Sequence, residues 1–271
     1  MEAQEKAMLE AKALEIRKLT IDEIGYLGVG HIGGAMSVVE ILTVLYYKVM
    51  KLDPANPKAA DRDKLVLSKG HAGPTLYAIL ADKGYFPKEW LHTLNQGGTN
   101  LPSHCDMTRT PGIDFTTGSL GQGASAAAGI ALAEEMKNSE AYTYLVVGDG
   151  ESQEGQVWEM AMFAAHYQLG KLIAFNDYNK MQIDGTTFDV MGIDDVNTKW
   201  QGFGWHVQRI NGHDVDQIDA AIERARQVRE RPSMIICDTL KGKGFAPGEG
   251  KVGSHNMPFT YEEAQAAIKE L

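Results

Sequence analysis

The sequence predicts an α/β fold, a parallel sheet flanked by helices, and three observations predict it. Short apolar runs rich in β-branched and aromatic residues recur: KLVLS (64–68), YTYLVV (142–147), LIAFND (172–177), WHVQRI (205–210) and SMIICD (233–238). Helical stretches lie between the later ones, QVWEMAMFAAHYQL (156–169) and VDQIDAAIERARQVRE (215–230), and such alternation indicates parallel strands covered on both faces. Glycine-rich polar turns, KGHAGP and GDG, directly follow the first two strands, and in open α/β sheets ligands sit beyond the carboxyl ends of the strands.

The remaining elements follow in chain order. Residues from about 3 to 24 place Met8, Leu9, Ala11, Leu14, Ile16, Leu19 and Ile21 at helical spacing, which predicts an amphipathic helix. GYLGVGHIGGAM is a glycine-rich turn, and SVVEILTVLYYKVM (37–50) is a second helix. LDPANPKAADRD reads as a loop, and TLYAILADKG (75–84) as a helix after the first strand. Residues 95–123 are rich in Gly, Thr and Pro, and a loop of that length usually carries a site. ASAAAGIALAEEMK (124–137) is a helix of small residues suited to close packing against a sheet or another subunit. With no internal repeat and no interior linker, the expectation is one domain over 1–271.

Bulk properties narrow the function. A hydrophobic content of 44% permits a sizeable core. The net charge of −10 makes nucleic acid an unfavourable partner, because phosphate backbones need clustered Lys and Arg. Cys105 and Cys237 are the only cysteines and lack metal-ligand spacing, so a disulfide framework is not expected and a reducing cytoplasm fits. The charged N-terminus has no signal-peptide core, and no apolar run approaches the length of a membrane span.

The chemistry concentrates around Asp149 and Asn179. Asp149 stands in Gly-Asp-Gly just past a strand, and Asn179 lies thirty residues on, just past the next. One carboxylate and one amide oxygen form half of a hard-cation site, of the kind Mg²⁺ completes with substrate phosphates. Gly150 would let backbone approach a diphosphate closely. Each residue also has a plain alternative: Asp149 could cap the following helix, Asn179 could be a turn residue, and Glu154 a first-turn acid facing the helix dipole. His31, His71, His104 and His255 all fall in loops punctuated by Gly or Pro. Each alone could be a plain loop histidine. Together they form a set able to bind hydroxyls and move protons.

GDG, then about thirty residues, then Asn resembles the thiamine diphosphate-binding motif. KGHA, TTGSLGQGASAAAGIA, GDGESQEGQVWE, KLIAFNDYNKMQIDG and GSHNMP, in that order, resemble transketolase over about 13–258. The resemblance implies the diphosphate-binding domain of that family, with the pyrimidine-binding and third domains on a partner chain. By resemblance, Asp149, Asn179 and the carbonyl of Met181 hold Mg²⁺ (or Ca²⁺ or Mn²⁺), and Gly150 lies in the phosphate turn. Gly118 and Leu120 meet the aminopyrimidine through their main chain, Ile183 packs beside the thiazolium, and Lys241 lies near the cofactor. Glu154 is the interface acid that couples two cofactors. The four histidines line the substrate channel, with His71 and His255 also in the cofactor-binding set. The implied activity is transfer of a two-carbon ketol unit from a ketose (phosphate) to an aldose (phosphate). A glutamate that touches the pyrimidine lies in the missing part, so the chain alone should be inactive, and an α₂β₂ heterotetramer with a C-terminal subunit is expected. The sequence departs from the family at Ile32 and Ser119, where proline is usual, and at Asn256, where glycine is. Rival readings are a 2-oxoacid dehydrogenase alpha-type or deoxyxylulose-phosphate synthase-type subunit, a split transketolase specialised for a branched or sulfonated sugar, and a non-catalytic interaction subunit. KGHA and the HxxP end at His255 favour transketolase over the first two, and the intact Asp149, Asn179 and four histidines argue against the last, while the specialised split transketolase stays open.

Overall fold

The protein's structure is a computed structural model that describes residues 1–193 and 195–271. Helix α1 (Ala3–Leu27) runs three residues past the expected end and stops where Gly28 adopts φ 88°, a left-handed conformation that suits glycine. Leu9, Ala13, Ile16, Thr20 and Ile24 form its buried stripe. A two-residue strand, β1 (Val29–Gly30), leads to the short helices α2 (Ile32–Met36) and α3 (Val39–Val44) and a π-turn, Leu45–Val49. The expected single helix over 37–50 is thus broken and begins earlier. Ile32 is the first residue of α2 and is fully buried.

Strand β2 (Lys64–Leu67) is followed by α4 (Gly73–Asp82), the long loop, and α5 (Gln122–Met136). Then come β3 (Thr143–Gly148), α6 (Gly155–His166) and β4 (Leu172–Tyr178). A tight ribbon of β5 (Met181–Gln182) and β6 (Gly185–Thr186) precedes α7 (Thr187–Met191) and α8 (Val196–Gly202). The chain ends with β7 (His206–Asn211), α9 (Val215–Gln227), β8 (Ser233–Asp238), β9 (Met257–Pro258) and α10 (Tyr261–Glu270).

The five main strands form one sheet in the order β2–β3–β4–β8–β7, with every neighbouring pair parallel. Alternation along the strands builds two cores. Leu65, Tyr144, Val146, Ile173, Phe175 and Ile235 face one side, with residues of α1, α3, α4 and α9. Val66, Leu145, Val147, Leu172, Met234 and Ile236 face the other, with residues of α5, α6 and α8. The alanines of α5 (Ala124, Ala127, Ala128, Ala131) are buried in this second core, so its small residues serve close packing within the chain. Two details fix the loops that matter. β1 pairs with β9, which brings the segments carrying His31 and His255 side by side. β4 brings Asp177 level with the end of β3, where Gly148 and Asp177 are paired in register, and Asn179 follows just past its own end.

Candidate active site at the carboxyl edge of the sheet

Three neighbouring strands deliver polar residues to one edge. β2 leads into Ser68-Lys69-Gly70-His71, β3 into Asp149-Gly150, and β4 into Asn179. Of these, Lys69, His71, Asp149, Gly150 and Asn179 line a cleft of about 190 Å³ together with Lys241 and His255. The Asp149 carboxylate is buried and accepts hydrogen bonds from the Gly150 N–H (2.8 Å) and the Lys180 N–H. The side chain therefore ties the two strand ends together and caps no helix, since the short turn that follows has no side-chain cap. Asn179 does make a local turn, accepting from the Met181 N–H at 3.1 Å. Its Nδ2 donates to Asp177 at 3.0 Å, which fixes which way the amide faces.

Asp177 is the hub of this edge. It is fully buried and accepts from the Lys69 ammonium, the Ser37 hydroxyl at 2.7 Å, the Thr239 hydroxyl and Asn179. Lys69, itself buried, also donates to the Gly34 carbonyl at 3.1 Å. Burial opposes ionisation of Asp177, but Lys69 and the hydroxyls hold its carboxyl below the ordinary value. Asp149 is the opposite case: burial, then the nearby Asp177 charge, pushes its carboxyl up to about 7. Sequence reasoning missed Lys69, Asp177 and Glu151. The one signal was Asp177 closing the apolar run 172–177, a charge that burial penalises unless it is paired, which flags the residue without naming its partners.

The four histidines named from sequence converge. His31 lies with its ring centroid 5.4 Å from those of His71 and His104 and 5.5 Å from that of His255. His71 and His255 are 5.1 Å apart. Burial, with His104 and Lys241 nearby, lowers His31 to about 4, and burial, with Lys241, lowers His255 to about 3. Burial also lowers His71, assisted by Lys69, and His104. All four are neutral at pH 7 and serve as hydrogen-bonding groups for hydroxyls. Lys241 is buried and, through burial and then the Lys69 charge, is lowered to about 8. Its Nζ is 3.2 Å from His255 Nδ1. A charged Lys241 can only donate, so it fixes the proton of His255 on Nε2.

The other candidates take less central places. Leu120, Gly150, Glu154, Met181 and Ile183 line the same cleft. Ile183 is 65% exposed in the β5–β6 ribbon, available to a bound molecule but packed on nothing large. Gly118 packs under His104, where a Cβ would come within 3.2 Å of the ring. Glu154 is exposed, sits at the N-cap position of α6 and makes no capping hydrogen bond.

A family model described as transketolase, thiamine diphosphate binding domain, matches residues 9–271. The chain belongs to the transketolase family. It is 56% identical to the 6-deoxy-6-sulfo-D-fructose transketolase subunit SqwG of Clostridium sp. (strain MSTE9), over 99% of this chain and 98% of that one. It is 36% identical to an apulose-4-phosphate transketolase subunit of Phocaeicola vulgatus, over 97% and 93% of the two chains. Transketolase from Campylobacter jejuni superposes with a TM-score of 0.92 at 32% identity, covering 100% of this chain and 43% of that one. The chain thus matches transketolase subunits end to end and spans only about two fifths of full-length transketolases. It is an N-terminal subunit of a thiamine diphosphate-dependent transketolase, and its sheet is the thiamine diphosphate-binding fold.

The edge residues suit that cofactor and a hard cation. Asp149 is a buried carboxylate raised to about 7 by burial and a like charge, a state a cation relieves. Among the described residues no group of three or more His, Cys, Asp and Glu could hold a metal alone. One carboxylate, one amide and a main-chain carbonyl would leave coordination positions for diphosphate oxygens. Lys69 and Lys241 stand on the same cleft with positive charge for the phosphates. At Gly150 a Cβ would come within 2.9 Å of Gln182, so the turn stays narrow only with glycine.

Proposed function

We propose that the chain supplies the diphosphate and metal half of a split transketolase, and that its site residues are those assembled at the carboxyl edge of the sheet. Asp149, Asn179 and the Met181 carbonyl hold Mg²⁺, or Ca²⁺ or Mn²⁺ in its place. Gly150, Lys69 and Lys241 receive the diphosphate, Gly118 and Leu120 the aminopyrimidine, and Ile183 the thiazolium edge. The single observation that carries this reading is the convergence of four histidines, two of which, His71 and His255, line the cleft with Asp149 and Asn179.

Bound thiamine diphosphate supplies the carbon nucleophile and the electron sink for cleaving a ketose carbon–carbon bond. The chain's own residues do the rest. His31, His71, His104 and His255 bind the donor's hydroxyls and exchange protons with the donor hydroxyl and the acceptor's carbonyl oxygen. Lys241 holds His255 with its Nε2–H directed away from Nδ1, ready to donate.

Neutral imidazoles recognise hydroxyls and offer little to an anionic group, so the charged end of the sugar belongs to the partner subunit. That partner is a C-terminal transketolase subunit in an α₂β₂ assembly, which also brings the pyrimidine-contacting glutamate. Exposed Glu154, and Met162 and Phe163 on the outer face of α6, are placed to meet it. The two cysteines are free and buried, which fits a cytoplasmic enzyme. No described helix is long and apolar enough to cross a membrane.

The donor is a sugar specialised as in the relatives, with a sulfonated ketose favoured by the 56% identity to the sulfofructose enzyme subunit. The test is a donor panel on the assembled enzyme with thiamine diphosphate and Mg²⁺: 6-deoxy-6-sulfofructose, xylulose 5-phosphate and apulose 4-phosphate. A kcat/KM at least tenfold higher for the sulfonated donor supports the assignment. Preference for xylulose 5-phosphate refutes it and points to the ordinary pentose phosphate reaction.

A further inference from the structure

Glu151 follows the diphosphate turn and is 2% exposed. Both of its oxygens are engaged by three different loops. Oε1 accepts from the Ser68 hydroxyl at the end of β2 and from the Gly121 N–H at 2.9 Å, while Oε2 accepts from the Gly148 N–H at 2.9 Å. Gly121 caps α5, a helix of 15 residues whose positive end faces the carboxylate. The loops it joins are packed without slack. A Cβ on Gly123 would lie 2.5 Å from the Ser68 hydroxyl, and one on Gly70 would lie 2.6 Å from the Thr117 hydroxyl. Thr117 in turn donates to the Leu67 carbonyl at 2.7 Å. No step assigned above uses this carboxylate, yet it hydrogen-bonds both the 118–121 loop and the 148–150 turn.

We propose that Glu151 is a positioning residue that sets the spacing between the loop meeting the cofactor's ring and the turn meeting its diphosphate. The proposal rests on the placement of ring and diphosphate given above. A carboxylate suits the task because it offers acceptors only, and all three groups facing it donate. Glutamine keeps the shape but turns an N–H₂ toward at least one donor, which pushes the loops apart. A ligand that spans both loops senses that change. A ligand held by the turn alone does not.

The experiment measures equilibrium binding to the assembled enzyme at saturating Mg²⁺, with thiamine diphosphate and with inorganic pyrophosphate, for wild type, Glu151→Gln, Ser68→Ala and Gly118→Ala. Glu151→Gln is expected to weaken thiamine diphosphate by about tenfold or more while pyrophosphate changes by less than about threefold. Ser68→Ala removes one of the three donors and is expected to show the same pattern at smaller size, which keeps the test available if Glu151→Gln folds poorly. Equal weakening of both ligands, or of neither, overturns the proposal. Gly118→Ala separates the two levels, because its φ of 153° and a Cβ 3.2 Å from the His104 ring force the main chain of the ring-meeting loop to move: if it leaves thiamine diphosphate binding unchanged, the ring placement is wrong and the proposal falls with it. If it weakens only thiamine diphosphate while Glu151→Gln is not selective, the placement stands and Glu151 alone is refuted.

Discussion

Replacing Lys69 by methionine isolates the electrostatic hub. Lys69 and Asp177 are 3% and 0% exposed at their side chains, so their ion pair is shielded from solvent. Methionine keeps the volume and removes the charge, leaving a buried carboxylate without its cation. Breaking a buried pair from one side costs roughly 3–5 kcal/mol. The lower end applies here, because Ser37, Thr239 and Asn179 still hydrogen-bond the carboxylate. About 3 kcal/mol corresponds to a fall in Tm of roughly 6–12 °C, at about 2–4 °C per kcal/mol for a domain approaching this size. Urea unfolding in the presence of a chelator measures it without a cation that could replace the lost charge. The double variant Lys69→Met/Asp177→Asn removes both charges and is expected to recover at least about 2 kcal/mol relative to the sum of the single losses. A Lys69→Met loss below about 1 kcal/mol, or simple additivity in the double variant, refutes the hub.

Three further outcomes follow from the same geometry. Gly25→Ala would place a Cβ 2.3 Å from the Ala264 Cβ, so α10 must shift; overpacking of roughly 1–3 kcal/mol outweighs the gain of about 1 kcal/mol in helix propensity, and limited proteolysis should cut near α10 first. Thr260→Ala removes a capping box, in which the Glu263 N–H donates to the Thr260 hydroxyl at 3.1 Å and the Thr260 N–H to Glu263 at 2.7 Å; a loss of about 1 kcal/mol in urea unfolding is expected. Acid should also test the histidine cluster. His31 and His255, lowered to about 4 and 3, stay neutral in the folded chain while the unfolded chain takes up protons near 6.5, so their contribution to stability is present above pH 6.5 and declines as pH falls toward 4. His255→Asn should flatten that decline in pH-dependent unfolding, and an unchanged slope would contradict the lowered value.

Much of this fold was legible because strand and helix signals agreed with their surroundings. The runs 64–68, 142–147, 172–177, 205–210 and 233–238 became the five main strands within a residue or two, since each is apolar and bounded by turns. The broken helix after His31 was not legible: a continuous apolar run over 37–50 reads as one helix, whereas tertiary packing starts the helix at Ile32 and ends it in a π-turn. Helix α10 was missed although Thr260 and Glu263 spell a capping box, because a short, polar helix draws its stability from packing on α1. In the site, the ligand-type residues Asp149, Asn179 and the histidines were readable from motif and spacing. Lys69, Asp177 and Glu151 were not, because their role depends on which buried partners three separate loops bring together, and a single sequence does not display that.

The most direct test of the central claim is ketol transfer by the chain alone, by the chain with its C-terminal partner, and by the mixture carrying Asp149→Ala. All are measured with thiamine diphosphate, Mg²⁺ and the sulfonated donor. The account predicts turnover only in the wild-type mixture and a loss of at least about a hundredfold with Asp149→Ala. Turnover by the chain alone, or an undiminished rate with Asp149→Ala, would contradict it.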